Sequence, residues 1–414
     1  MSTLALDNIG LLATNDPELG EGALGVVRDA ALVFDGERVV SVESAGAAAD
    51  HALDAGGRCV VPGFVDSHTH LVFAGDRADD FAARMAGAPY APGGINKTVR
   101  TTRAASSEEL RALARARSQE ALRAGITHLE VKSGYALDPA GERRLCELAG
   151  ELTDDVTFLG AHLVPPEYEG RPDDYVALVC GEMLEACAPH ARWIDVFCEH
   201  GAFDADQARA VLGAGRDAGL GLRIHANQLG PGPGVQVGVE LGAASADHCT
   251  HVTPEDVDAL AGSSTVATLL PATDFSTQQP YADARALLDA GATVALATNC
   301  NPGSSNTTAI GFCIALAVRE MGMTAAEALA AATLGGAKAL RREDLGRLAP
   351  GARADAVLLA APSYTHIVYR PGVPLVAATI RSGRVQWVDP ELAPDGFAQA
   401  AAGADPDPGS GSAP

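Results

Sequence analysis

Short apolar runs separated by turn residues open the chain and return near its end. "ALVFDGERVVSV" (Ala31 to Val42) sets two β-type runs on either side of Asp35-Gly36, a hairpin signal. The runs "ADAVLLA" (Ala354 to Ala360) and "AATIRSGRVQWV" (Ala377 to Val388) have the same character. Two β-rich ends around a different middle predict one small β-sandwich domain, assembled from residues 1–62 and 346–395. Residues 396–414, rich in Ala, Gly, Pro, Ser and Asp, predict a disordered tail.

Residues 63–345 alternate apolar runs with helical segments. The runs are "VVPGFVDSH" ending near His68, "ITHLEVK" at Lys132, "VTFLGAH" at His162, "WIDVFCE" at Glu199, "GLRIH" at His225, "ASADH" at His248, "TVATLLP" at Pro271 and "TVALATN" at Asn299. Between them stand helix starts: Ser106 three residues before Glu109, Asp204 three before Gln207, and Thr253-Pro254 with Asp256. Eight strand-helix units predict an α/β fold, a (β/α)8 TIM-like barrel, whose active site gathers at the C-terminal ends of the strands. Those ends carry the polar residues just named.

Composition narrows the partners. The 414 residues carry a formal net charge of −23, and lysine supplies only Lys97, Lys132 and Lys338 of the 30 basic residues. Such a chain is not built to bind nucleic acid or an anionic membrane, so an anionic small-molecule substrate needs a local arginine. No leader pattern and no apolar stretch of about 20 residues is present, which predicts a cytoplasmic protein. The eight cysteines are scattered without a CxxC pair and are expected to be reduced, mostly buried thiols. A homodimer is the common outcome for soluble enzymes of this kind.

His68-Thr69-His70 leaves a strand with two imidazoles on one face, positioned to grip one metal ion. Strand-end histidines at His225 and His248 turn this weak pair into the donor set of a mononuclear hydrolytic site. Two-metal barrels commonly bridge their ions with a lysine on the fourth strand. That strand ends here in "VFCEH" (Val196 to His200), without lysine. A single divalent ion is therefore expected, with Glu199 the carboxylate able to overturn that by bridging.

The stretches "DSHTHLVFAGDR" (Asp66 to Arg77), "KSGYAL" (Lys132 to Leu137), "FLGAH" (Phe158 to His162), "IHANQLG" (Ile224 to Gly230), "SADH" (Ser245 to His248) and "NPGSS" (Asn301 to Ser305) resemble the amidohydrolase superfamily. Within it they resemble the imidazolonepropionase family of histidine degradation, from about residue 5 to 390. The resemblance implies that His68, His70 and His225 bind one metal ion, zinc or iron. It implies that Arg77, Tyr135 and His162 hold 4-imidazolone-5-propanoate, with Arg77 on its carboxylate, where a guanidinium fork suits bidentate pairing. Gln228 becomes a ring contact, His248 a proton shuttle, and Asn301, Gly303 and Ser304 the lining around the N-formimidoyl-L-glutamate product. Tyr90 and the "PGGI" glycines (Pro92 to Ile95) resemble a flap.

Asn299 departs from the pattern. The family places an aspartate there, which binds the metal and accepts a proton from water. An asparagine keeps a carbonyl oxygen for the metal but is no base. Three explanations stay open: a catalytically impaired copy, a homologue in which His248 does the base work, or a non-hydrolytic protein that binds a small carboxylate. A deaminase would want a carboxylate where Gln228 stands.

Overall fold

The computed structural model describes residues 3–87 and 94–402. Tyr90, Pro92 and Gly93 lie outside the described residues, as do residues 403–414. The chain opens with β1 (Thr3–Ala13), β2 (Val26–Asp35), β3 (Arg38–Ser44), β4 (His51–Asp54) and β5 (Cys59–Pro62). Eight strands follow: β6 (Phe64–Asp66), β7 (Ile126–Lys132), β8 (Asp155–Ala161), β9 (Trp193–Cys198), β10 (Gly221–Ala226), β11 (Ser245–His248), β12 (Val266–Leu269) and β13 (Val294–Leu296). The last three are β14 (Ala356–Leu359), β15 (Val376–Arg381) and β16 (Arg384–Val388).

Both ends of the chain enter one mixed sheet in the order β16-β15-β14-β5-β1-β2-β3, with β4 pairing alongside β1. Its core packs Leu6, Ile9, Leu32, Phe34, Leu358 and Ile380. The β15–β16 hairpin turns through Ser382 (φ 51°) and Gly383 (φ 73°), the left-handed pair whose twist matches the flanking strands. Two expectations need correction. The run "VVPGFVDSH" is not one barrel strand: it divides at Gly63, β5 pairing with β14 while β6 enters the barrel. Only glycine fits at the break, since a Cβ on Gly63 would lie 2.2 Å from Thr127 Oγ1. The disordered tail expected from residue 396 is also wrong for its first residues, because Phe397–Ala402 is helical and Phe397 is fully buried in the sheet's core.

Strands β6 to β13 form a parallel barrel in sequence order. Residues of β7, β8 and β9 are buried throughout, because helices cover the outside and side chains fill the inside. Ser106 caps the helix Ser107–Arg123, and Asp204 and Thr253 close reciprocal capping boxes on the helices Ala205–Asp217 and Pro254–Ala261. Such caps stabilise a helix by about 1 kcal/mol each. Closure falls at the strand ends: the Asn299 N–H donates to the His68 carbonyl (3.0 Å), and the His70 N–H donates to the Asn299 carbonyl (3.2 Å). Just below, Asp66 accepts from the Thr298 N–H (3.0 Å) and hydroxyl (2.5 Å). The bonds that close the barrel therefore also place Asn299 between the two histidines.

Candidate active site

The nitrogens of His68, His70 and His225 available for a ligand lie within 4.8 Å of one another. All three rings are buried, and Nε2 of each has no hydrogen-bond partner. Buried polar atoms rarely go unpaired, so three converging lone pairs fit a cation. Two of the rings are oriented from behind. His68 Nδ1–H donates to Asp247 Oδ2 (2.7 Å), and His225 Nδ1–H donates to Asp195 Oδ1 (3.0 Å). Each carboxylate fixes the tautomer that leaves Nε2 free to ligate. Burial first, and then the Lys132 charge, push His68 well below the ordinary imidazole range, which keeps it neutral.

The carboxylates belong to a charged layer inside the barrel. Lys132 Nζ lies 2.8 Å from both Glu130 Oε1 and Asp195 Oδ2, and 3.6 Å from Asp247 Oδ2. Arg223 reaches Asp247 (3.2 Å) and the Ser67 carbonyl (2.6 Å). Burial opposes every charge here, but Arg223, the His68 N–H bond and Lys132 hold Asp247 well below the carboxylate range, and Asp195 and Glu130 hold Lys132 above its own.

Asn299 Nδ2 donates to Thr273 Oγ1 (2.8 Å) and Ser304 Oγ (3.0 Å), leaving Oδ1 buried without a partner. The His248 ring centroid lies 5.3 Å from that of His225 and 5.6 Å from that of His68, and its Nδ1 is also unpartnered. His162 stacks on His70 at 5.3 Å and gives Nδ1–H to the Gly134 carbonyl (2.9 Å). Burial, reinforced by His225, pushes His162 down to about 3, so it is neutral with Nε2 as acceptor. Tyr135 packs against both rings, at 5.2 Å from His162 and 5.8 Å from His70.

Arg77 lies in a cleft of about 330 Å³ shared with Phe81, Arg84, Phe275, Gly303 and Ser304. Asp80 accepts its Nε–H at 2.8 Å. A Cβ on Gly94 or Gly303 would fall 2.1 or 2.2 Å from its terminal nitrogens, so both glycines let backbone close on the guanidinium. Asn301 Oδ1 accepts the Gly303 N–H (2.8 Å), and Arg84 Nη2 donates to the Gly303 carbonyl (2.8 Å), fixing that loop from two sides. Gln228 is buried, and its backbone N–H donates to Glu199 Oε2 (2.9 Å).

The structure thus brings together His68, His70, His225, His248, His162, Tyr135 and Asn299, and groups Arg77, Gly303 and Ser304 in a cleft that Ser304 joins to Asn299. Glu199 is not among the grouped metal donors: its carboxylate is occupied by the backbone N–H groups of His200, Gln228 and Leu229, each at 2.9 Å. Sequence reading missed Glu130, Asp195, Arg223 and Asp247. The available signal was a charge inside an apolar strand, as in "WIDVF" and "GLRIH", since a charge buried there needs a partner.

The amidohydrolase family model matches residues 59–385. An imidazolonepropionase of Mycolicibacterium smegmatis is 61% identical over 394 residues, covering 95% of this chain and 100% of that relative. One from Streptomyces griseus subsp. griseus is 63% identical over 387 residues, covering 93% and 99%. Among solved structures, an atrazine chlorohydrolase of Arthrobacter aurescens complexed with zinc superposes with a TM-score of 0.69 at 18% identity, covering 94% and 96%. An adenosine deaminase of Xanthomonas campestris with bound zinc gives 0.68 at 17%, covering 96% of each chain. At such identity these two speak for the fold alone. With the family model spanning most of its length and full-length relatives above 60% identity, the chain belongs to the amidohydrolase family and, within it, to the imidazolonepropionases.

Proposed function

We propose that the protein hydrolyses the ring amide of 4-imidazolone-5-propanoate to N-formimidoyl-L-glutamate, a step of histidine degradation. The observation that carries the reading is the convergence of three unpartnered imidazole nitrogens, beside which Ser304 links Asn299 to the cleft that holds Arg77. His68, His70 and His225 would hold one divalent ion, zinc or iron, with Asn299 Oδ1 as a further neutral donor. When bound, such an ion supplies Lewis acidity, polarising a carbonyl and lowering the pKa of water from about 15.7 toward 7.

The chain's own residues do the rest. Arg77 pairs with the propionate carboxylate and so fixes which end of the substrate enters. Tyr135 and His162 flank the ring, neutral His162 accepting a ring N–H at Nε2. Gln228 contacts the ring from the side of β10. His248 takes a proton from the attacking water and returns it to the departing ring nitrogen. The ring C–N bond breaks, the water oxygen stays in the new carboxylate, and Asn301, Gly303 and Ser304 border the product. Asn299 cannot accept that proton, which leaves the role to His248.

Eight free cysteines accord with a cytoplasmic setting. No helix among the described residues is long and apolar enough to cross a membrane. The test is ring opening of freshly prepared substrate before and after metal removal by a chelator. Activity should vanish with the metal and return on adding zinc or iron(II). Undiminished activity in the stripped protein would refute the reading.

A further inference from the structure

The charged layer beneath the histidines has one member that serves two of them at once. Asp195 orients His225 and Asp247 orients His68, yet the two aspartates differ in their support. Asp247 has both Arg223 (3.2 Å) and Lys132 (3.6 Å). For Asp195, Lys132 at 2.8 Å is the one Lys or Arg side chain within ion-pair distance among the described residues. Lys132 also bonds Glu130 Oε1 (2.8 Å), whose other oxygen accepts the Thr69 N–H (3.0 Å) between His68 and His70. Lys132, Glu130, Asp195 and Asp247 are all fully buried, so the positions of the charges depend on each other rather than on water.

We propose that Lys132 is a positioning residue for the metal site, acting through Asp195 to hold the His225 ring in its ligating pose. The asymmetry follows from the partners. Without the ammonium, Asp247 keeps Arg223, whereas Asp195 becomes a buried carboxylate with no cation. His225 is then the ligand that loosens, more than His68. Partners of this kind change metal affinity by about 10–100-fold when removed. The inference rests on the proposed assignment of His68, His70 and His225 as metal ligands.

The experiment is a double-mutant cycle read as Co²⁺ affinity, by chelator competition, and as the Co²⁺ visible absorption band. Lys132→Gln and Asp195→Asn should each weaken Co²⁺ about 10–100-fold and alter the band. In the double variant the loss should be no greater than in Asp195→Asn alone, within about threefold, because the route from Lys132 to the metal has already been cut. Losses that multiply, or a Lys132→Gln protein that binds Co²⁺ like the unsubstituted chain, would overturn the proposal. If Lys132→Gln fails to fold, the charge-balanced double variant compared with Asp195→Asn carries the test by the same threefold criterion. An unsubstituted chain that binds no Co²⁺ would remove the metal site itself, and this role with it.

Discussion

Asn299 shows how much one atom decides. Its amide nitrogen meets two hydroxyls that can equally donate, so the same pocket would accept an aspartate without rearrangement. Arg77 is the other single-residue determinant. Its fork is braced by Asp80 through Nε and enclosed by Gly94 and Gly303. Lysine would keep the charge and lose the bidentate geometry. Arg77→Lys should raise KM about 10–100-fold, the loss of one charge-assisted bond, with kcat changed much less. Steady-state kinetics check this; an unchanged KM would move the carboxylate anchor elsewhere. The histidines at these positions were legible in the sequence because each ends an apolar run. Their carboxylate partners were not, because Asp195 and Asp247 sit within strands and their role depends on neighbours that only the barrel brings together.

Individual elements also carry titratable groups whose cost is set by packing. Asp274 lies in the helix Pro271–Thr277, fully buried, accepting from Thr250 Oγ1 (2.8 Å) while Oδ2 has no partner. Burial pushes its pKa up to about 7, against relief from Thr250 and the Ala282 N–H. The folded state therefore binds this proton more tightly than the unfolded chain, and the group's contribution to stability falls as pH rises from about 4 to about 7. Asp274→Asn mimics the protonated form and should raise Tm at pH 8 relative to the unsubstituted chain, with little difference at pH 4.5. Thermal melts at the two pH values decide it; an equal effect at both would show that the carboxyl does not titrate in this window. Helix boundaries were read correctly where caps announced them, at Ser106, Asp204 and Thr253. The break at Gly63 was not, because the different partners on its two sides, β14 for β5 and β7 for β6, lie far along the chain.

At the scale of the molecule, the turn that follows the helix Gly336–Ala339 is tied back to the barrel strands by ion pairs away from the metal site. Asp155 on β8 accepts from His128 Nε2 (2.8 Å), Trp193 Nε1 (2.9 Å), Arg192 (3.0 Å) and Arg342 (3.0 Å). Burial opposes ionisation, but His128 and its other donors bring Asp155 down to about 2. Its contribution to stability is present above the unfolded pKa near 4 and is lost as pH falls toward 2. Asp155→Asn should cost about 1.5–3 kcal/mol in denaturant unfolding at pH 7, since it weakens charge-assisted hydrogen bonds from two half-buried arginines to one buried carboxylate. A loss under about 1 kcal/mol would show that the cluster is solvated. The even spacing of apolar runs made the barrel legible, and the two β-rich ends foretold a shared sheet. The central place of β1, and the pairing of β4 beside it, had no counterpart in local pattern because register between distant strands is settled only by assembly.

The barrel keeps its proposed chemistry with Asn299 in place and His248 as the proton carrier. The most direct measurement is kcat for ring opening of 4-imidazolone-5-propanoate, at known metal content, for the unsubstituted chain, His248→Gln and Asn299→Asp. The chain as it stands should turn over, with a loss of about 10²–10⁴ in His248→Gln and at most about a tenfold gain in Asn299→Asp. Turnover confined to Asn299→Asp, or a His248→Gln protein as fast as its parent, would contradict this chemistry.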